Sequence, residues 1–371
     1  MRVTILGRDF PPAVGGIGDH TDLLAAELAR RGQAVTVVCS APADARASFD
    51  VRPVIDRWDA RGSASIVRAV AGSRPDIIVW QYNPFAVGRR GLTPGIGRLA
   101  RALAAEAPLV LLAHELWFPF RREGLKGLVW ALAHRRQMRA LARAARMVVV
   151  TTEQRAAELA RAIPSVASTT RVIPIAANVE PRPEQRSARA TFGLPDDAFV
   201  VAHLGSVGPG REIDRVFDAV AELRARGLDV RLLLAGNTGP FTAPGSLNGA
   251  VITTGILSRE QLSAALASAD AYVHPDLVGP SAGRRGSLVA ALAHSLPVVA
   301  FRGPDHASQL LDGTNVVITD PDELSDALAG LASDRARATQ IGDAARQTYL
   351  EHFAWPRVGD ELLAVFEETL R

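Results

Sequence analysis

One cysteine in 371 residues, Cys39, removes several classes of function at once. No internal disulfide can form, and no cysteine-rich metal site can be assembled. The eight histidines are scattered, and His114-Glu115 is not followed by a second histidine at helical spacing, so a zincin arrangement is missing too. No obligatory metal is expected, and no other cofactor is assigned. No run of helix length is free of charge or glycine, which excludes a membrane-spanning helix. Met1-Arg2 leads directly into a short apolar strand, without the apolar core and cleavage site of a secretory signal, and a cytoplasmic location is expected. Lysine is almost absent, Lys126 being the only one among 42 basic residues. The formal charge of +3 is small for this length. With a pI near 9.6 but no basic stripe interleaved with aromatics, it argues against nucleic acid and for an anionic small ligand.

What is present is a repeated alternation of strand and helix. The length suggests two domains, and a hydrophobic fraction of 48% can supply a core to each. Strand Val3–Leu6, a glycine-bearing loop, a helix from Asp19 to Arg31-Gly32 and strand Ala34–Val38 form a βαβ unit, the seed of a parallel sheet covered on both faces. Strands near Ile77–Val79, Leu109–Leu112, Met147–Val150 and Arg171–Ile173 continue it. The proline-punctuated stretch 179–184 reads as a linker. The alternation restarts with strands Val200–Leu204, Val230–Ala235, Val251–Thr253, Ala271–His274 and Pro297–Phe301. Helices are expected at Asp214–Arg226 and Ser258–Ala267. The fold class is thus α/β, with two doubly wound, Rossmann-like domains at 1–178 and 185–356. A final helix from about Arg357 to Leu370 should cross back, so that 357–371 completes the first domain.

Three loops have the composition of phosphate seats. Arg284-Arg285-Gly286-Ser287-Leu288 opens an alanine-rich helix, where free backbone N–H groups and the helix dipole favour an anion and two arginines add charge. Its bland alternative is an ordinary turn with solvated arginines. Gly15-Gly16-Ile17-Gly18 follows the first strand but lacks the third glycine of the dinucleotide fingerprint. Gly205-Ser206-Val207-Gly208-Pro209-Gly210-Arg211 occupies the matching place in the second domain. Ligands of doubly wound domains bind beyond the carboxyl ends of strands, so the two glycine loops are expected to face each other across a cleft. His114 and Gln81-Tyr82 end strands that overlook the same cleft. The basic stretch 120–146 is either a solvated helix face or a surface for peripheral contact with anionic lipid. Gly279-Pro280-Ser281-Ala282-Gly283 matches the G-x-S-x-G of serine hydrolases, with His306 or His352 in order to close a triad. Pro275 and Asp276, however, end the preceding strand too early for a nucleophile elbow.

Pro11-Pro12-Ala13-Val14-Gly15-Gly16-Ile17-Gly18-Asp19-His20, the Leu28–Val37 segment that follows, and Ala291-Leu292-Ala293-His294-Ser295-Leu296-Pro297-Val298-Val299-Ala300 resemble glycosyltransferase family 4. The resemblance implies the GT-B fold and transfer of a sugar from a nucleotide donor with retention of configuration. It places Gly15, Gly16, Gly18, Ser206, Gly208 and Arg211 at the donor diphosphate, with Arg284, Arg285, Gly286, Ser287 and Leu288. The backbone of Gly255, Ile256 and Leu257 would hold the nucleobase, His114 would stand near the sugar as a catalytic group with Arg211, and His20, Gln81, Tyr82 and Glu115 would face the acceptor. Two departures stand out. The family's paired glutamates fall on Ala282 and Ala290, and Ser206 stands where an arginine is usual. This looks like a branch in which the Arg-Arg-Gly-Ser loop replaces the acidic signature, with Arg284 or Arg285 supplying the charge missing at Ser206. The expected partners are a nucleotide sugar and a sugar, glycan, lipid-linked or small-molecule acceptor. The alternatives are a nucleotide-sugar epimerase of the same fold and a scaffold that binds nucleotide sugar or glycan without turnover.

Overall fold

A computed structural model describes residues 1–88, 91–118, 124–182, 188–205, 212–238 and 243–371. Internal contacts divide the chain into unit 1, Met1–Pro174 with Val358–Arg371, and unit 2, Ile175–Arg357.

Unit 1 is built on a seven-stranded parallel sheet: β1 (Arg2–Leu6), β2 (Ala34–Ser40), β3 (Asp50–Ile55), β4 (Ile77–Tyr82), β5 (Leu109–Ala113), β6 (Met147–Val150) and β7 (Thr170–Val172), in the order β3-β2-β1-β4-β5-β6-β7. The middle strands β4 and β5 are buried at every position. Such unbroken burial is what a parallel sheet with helices on both faces demands. Those helices are α1 (Gly16–Arg30), α2 (Ala60–Ala71), α3 (Ile96–Glu106), α4 (Gly124–Ala144) and α5 (Glu153–Ala162). The α1 helix starts three residues before the expected Asp19 and ends in a Schellman motif. Gly32, at φ +78°, donates to the Ala29 carbonyl, and Gln33 donates to that of Leu28. The β3 strand lies at the sheet edge, where Pro53 removes no ladder bond that a further strand would need.

Unit 2 carries six parallel strands: β8 (Phe199–Leu204), β9 (Val230–Ala235), β10 (Val251–Thr253), β11 (Ala271–His274), β12 (Val298–Phe301) and β13 (Val317–Thr319), in the order β10-β9-β8-β11-β12-β13. Helices α6 (Ile213–Ala225), α7 (Arg259–Ala267), α8 (Gly286–Ala293), α9 (Leu324–Ser333) and α10 (Arg335–His352) cover it. A reciprocal capping box starts α7: Ser258 Oγ accepts from the Gln261 amide, and Gln261 Oε1 accepts from the Ser258 amide at 2.9 Å. Division between the units falls at Pro174/Ile175, and the described part of the expected linker is anchored within unit 2. Val179 is buried, Tyr349 donates its hydroxyl to Glu180 at 2.7 Å, and Trp355 Nε1 donates to the Ala177 carbonyl at 2.8 Å. The last helix, α11 (Trp355–Leu370), has its first turn in unit 2 and the remainder in unit 1. There Val358, Leu362 and Phe366 are buried, and Arg31 pairs with both Glu27 and Asp360.

In both sheets the strand order reverses once, between β1 and β4 and between β8 and β11. Ligands of open α/β sheets bind beyond the carboxyl ends of strands at that reversal. Among the described residues no helix is long and apolar enough to cross a membrane.

Candidate active site

In unit 1, the reversal brings together side chains from three elements. Gln81 is the last but one residue of β4, His114 follows β5, and His20 lies in the second turn of α1. Gln81 Oε1 accepts from His114 Nε2 at 2.5 Å, and Gln81 Nε2 donates to His20 Nδ1 at 3.5 Å. The two imidazoles meet edge to face with centroids 5.1 Å apart. Burial lowers the His20 pKa to about 4. His114 is held well below the ordinary range, first by burial and then by the charges of His20 and Arg155. Both rings are therefore neutral near pH 7. The amide then fixes their tautomers, with the proton on Nε2 in each and the His114 Nδ1 lone pair left as an acceptor.

Glu115 joins this group through Arg155, a buried residue in the first turn of α5 that sequence reasoning missed. Its guanidinium pairs with Glu115, donates to the His114 carbonyl and donates to Thr151 Oγ1 at 3.2 Å. A buried arginine clamping the segment after β5 left no pattern in the sequence. Tyr82 is a correction. Neighbours in a strand point to opposite faces, so with Gln81 at the histidines, Tyr82 faces the core, edge-on to Trp80 at 6.4 Å.

The glycines of the first loop divide. Gly15 caps α1 in extended conformation, at φ 171°, with open space where a Cβ would project. Gly16 is the exposed first residue of the helix. Gly18 is buried, and a Cβ there would stand 3.2–3.3 Å from the Asp9 and Phe10 backbone. Its smallness is used by the fold itself, which corrects the expectation that it approaches a ligand.

In unit 2, Ser206, Gly208 and Arg211 lie outside the described residues. Gly205, at φ +110°, and Gly236, at φ +103°, end β8 and β9 side by side. Gly255, at φ +68°, bridges to Gly236 just after β10, with Ile256 exposed and Leu257 partly buried beside the core. Among the described residues, glycine backbone thus follows β8, β9 and β10 at the carboxyl edge.

The arginine loop departs from expectation. Arg285 Nε stands 3.0 Å from Asp276 Oδ2, and Arg284 Nη1 stands 3.1 Å from Asp305 Oδ2. Both carboxylates are buried, and His274 Nε2 lies 3.4 Å from the same Asp276 oxygen. Each arginine is therefore neutralised from within unit 2, and neither is the free positive charge expected of it. Both hold the loop, and the loop presents the start of α8. There Arg285 is the cap without a side-chain bond, and the amides of Gly286, Ser287 and Leu288 have no partner within the helix. Ala282 and Ala290, in the places of the family's glutamates, are both fully buried. Ser281 is fully buried, His306 Nε2 is bonded to the Leu310 carbonyl, and His352 is a partly exposed residue of α10 beside Glu351, so no serine triad is assembled from them. Among the described residues no cluster of three or more metal-ligating side chains occurs.

Comparison with known proteins agrees with this geometry. A family model described as "Glycosyltransferase Family 4" matches residues 14–180, and one described as "Glycosyl transferases group 1" matches residues 198–334. The chain belongs to glycosyltransferase family 4. Among similar proteins is the D-inositol 3-phosphate glycosyltransferase of Mycolicibacterium paratuberculosis, 31% identical over 51% of this chain and 44% of that one. The alpha-maltose-1-phosphate synthase of Mycobacterium tuberculosis is 26% identical over the whole of both. The chain spans about half the length of the first curated relatives it matches. Among solved structures, sucrose-phosphate synthase from Thermosynechococcus elongatus superposes with a TM-score of 0.74 at 17% identity, covering 99% of this chain and 98% of that one. Anabaena HepE, solved in complex with UDP and glucose, gives 0.72 at 17%, covering 99% of each. These likenesses establish the two-domain GT-B fold.

Proposed function

We propose that the protein is a retaining glycosyltransferase that moves a sugar from a nucleotide-sugar donor to an acceptor hydroxyl. The observation carrying this reading is the His20–Gln81–His114 group at the strand-order reversal of unit 1, in a chain of this family. Further support comes from relatives that are named glycosyltransferases and from a structural neighbour solved with UDP and glucose.

When the bond from sugar to diphosphate breaks, negative charge grows on the departing phosphate oxygen. Groups that stabilise it must already point there, because dipoles that need not reorganise lower the barrier most. In this reading the α8 amides of Gly286, Ser287 and Leu288 and the Arg211 guanidinium meet the diphosphate, while Gly15 and Gly16 leave room for it. Arg284 and Arg285 act at one remove, by fixing the loop that aims α8. The backbone at Gly255, Ile256 and Leu257 receives the base. His114, neutral and holding an open Nδ1, accepts a hydrogen bond from a sugar hydroxyl rather than donating a proton. His20, Gln81 and Glu115 lie on the acceptor side.

Incubation with UDP-, GDP-, ADP- and dTDP-sugars, following release of the nucleoside diphosphate, tests this. Turnover of at least one donor is expected, and binding without release of any diphosphate overturns the catalytic assignment. That outcome would favour a second reading, a scaffold that holds a nucleotide sugar. Alanines at 282 and 290 and the internal pairing of both loop arginines are the features that speak for it.

A further inference from the structure

Many arginines among the described residues are matched by carboxylates. Arg30 and Arg31 share Glu27, Arg226 pairs with Glu222 and Asp326, and Arg189 and Arg335 share Asp270. Four that have no carboxylate partner among the described residues gather around one groove. In unit 1 an open groove of about 690 Å³ runs between α3, α4 and the turn after α5, floored by Ile163 and Pro164. Arg101 of α3 and Arg136, Arg139 and Arg143 of α4 surround it. All four are exposed. Among the described residues Arg101, Arg136 and Arg143 have no hydrogen-bond or ion-pair partner, and Arg139 donates only to the Ala162 carbonyl at 3.4 Å. Glu158, on α5, acts instead on Arg135, which Arg139 in turn opposes.

Arg136, Arg139 and Arg143 are three and four residues apart and so share one helix face, where like charges repel and weaken the helix. A multiply charged anion would relieve that repulsion, and a guanidinium presents the planar fork that binds phosphate oxygens in pairs. The volume suits a small ligand. Its place separates it from the histidine group. The ends of α4 and α5 lead into β6 and β7, so the groove lies toward the amino-terminal edge of the sheet, opposite the carboxyl edge where His114 stands.

We infer that this groove is a second anion site, which takes a phosphate-bearing ligand independently of the donor. Phosphate is the shared chemistry of two sources, a soluble phosphorylated compound and a lipid head group. The lipid source is raised by Leu128, Val129 and Leu132, which are exposed on the same helix two turns earlier.

Hydrogen exchange over peptides 136–146 and 159–168 tests the inference, with inorganic pyrophosphate in one arm. In the other, phosphatidylcholine vesicles are used with and without phosphatidylglycerol. Protection by pyrophosphate, or by the anionic vesicles alone, is expected to weaken about tenfold in apparent affinity for each arginine lost in Arg136→Ser and Arg136→Ser/Arg143→Ser. Pyrophosphate protection identifies a soluble ligand, and protection confined to anionic vesicles identifies a head group. No protection in either arm, or protection unchanged in the double variant, overturns the site. Both positions are exposed, so the variants should fold, and donor turnover should be unaffected in them.

Discussion

Acidification should strike unit 1 through His20. Buried against Gln81 and His114, this imidazole titrates at about 4 in the folded protein against an ordinary 6.5. A depressed value means that the unfolded chain binds the proton more readily. The contribution of the neutral ring is thus complete above about pH 6.5 and is lost as pH falls toward about 4. Between about pH 7.5 and about pH 5 the linkage relation gives a loss of about 2 kcal/mol from His20 alone. His114, shifted the same way, adds to it. Tryptophan fluorescence reads the effect selectively, because Trp58, Trp80, Trp117 and Trp130 lie in unit 1 and only Trp355 in unit 2. Urea midpoints would be measured at both pH values for the wild type and His20→Asn, which keeps an acceptor for Gln81 but cannot titrate. The variant should lose about 2 kcal/mol less than the wild type on acidification. Equal losses would refute the claim that a buried neutral His20 is responsible.

Three further perturbations discriminate between roles. Gly18→Ala should cost about 1–3 kcal/mol, because the new methyl meets the Asp9 and Phe10 backbone, whereas Gly15→Ala, facing open space, should stay within about 0.5 kcal/mol. Thermal melts separate the two, and a raised donor KM in Gly15→Ala would accompany its place at the diphosphate. Arg155→Met removes the partner of Glu115 and the donor to the His114 carbonyl, and a loss of about 2 kcal/mol in urea denaturation is expected. Arg211→Ala should reduce donor turnover by roughly a hundredfold to a thousandfold with no change in melting temperature, and an unchanged rate would remove Arg211 from the diphosphate.

Much of the fold is legible in the chain because parallel strands buried on both faces read as unbroken apolar runs, as in Ile77-Ile78-Val79-Trp80 and Val298-Val299-Ala300. The β3 strand escapes that signal: at the edge it needs little burial, and Asp50, Arg52 and Pro53 interrupt it. The α10 helix escapes it too, since its buried face is made largely of Ala338, Ile341, Gly342, Ala345 and Thr348, too small and mixed to stand out as an apolar stripe. At the site, Gln81 and His114 were legible as residues ending strands. Strand alternation alone turns Tyr82 to the face opposite Gln81. The pairing of Arg284 and Arg285 was not legible, because Asp305 lies 21 positions away from its partner and nothing local announces it.

The closing helix has a consequence for how the protein is made. Residues Val358–Arg371, which bury Leu362 and Phe366 in unit 1, leave the ribosome only after all of unit 2. Since domains tend to fold as they emerge, the first sheet must wait through nearly two hundred residues of synthesis with part of its apolar surface uncovered. During that interval the nascent chain offers chaperones a greasy face that the finished molecule conceals.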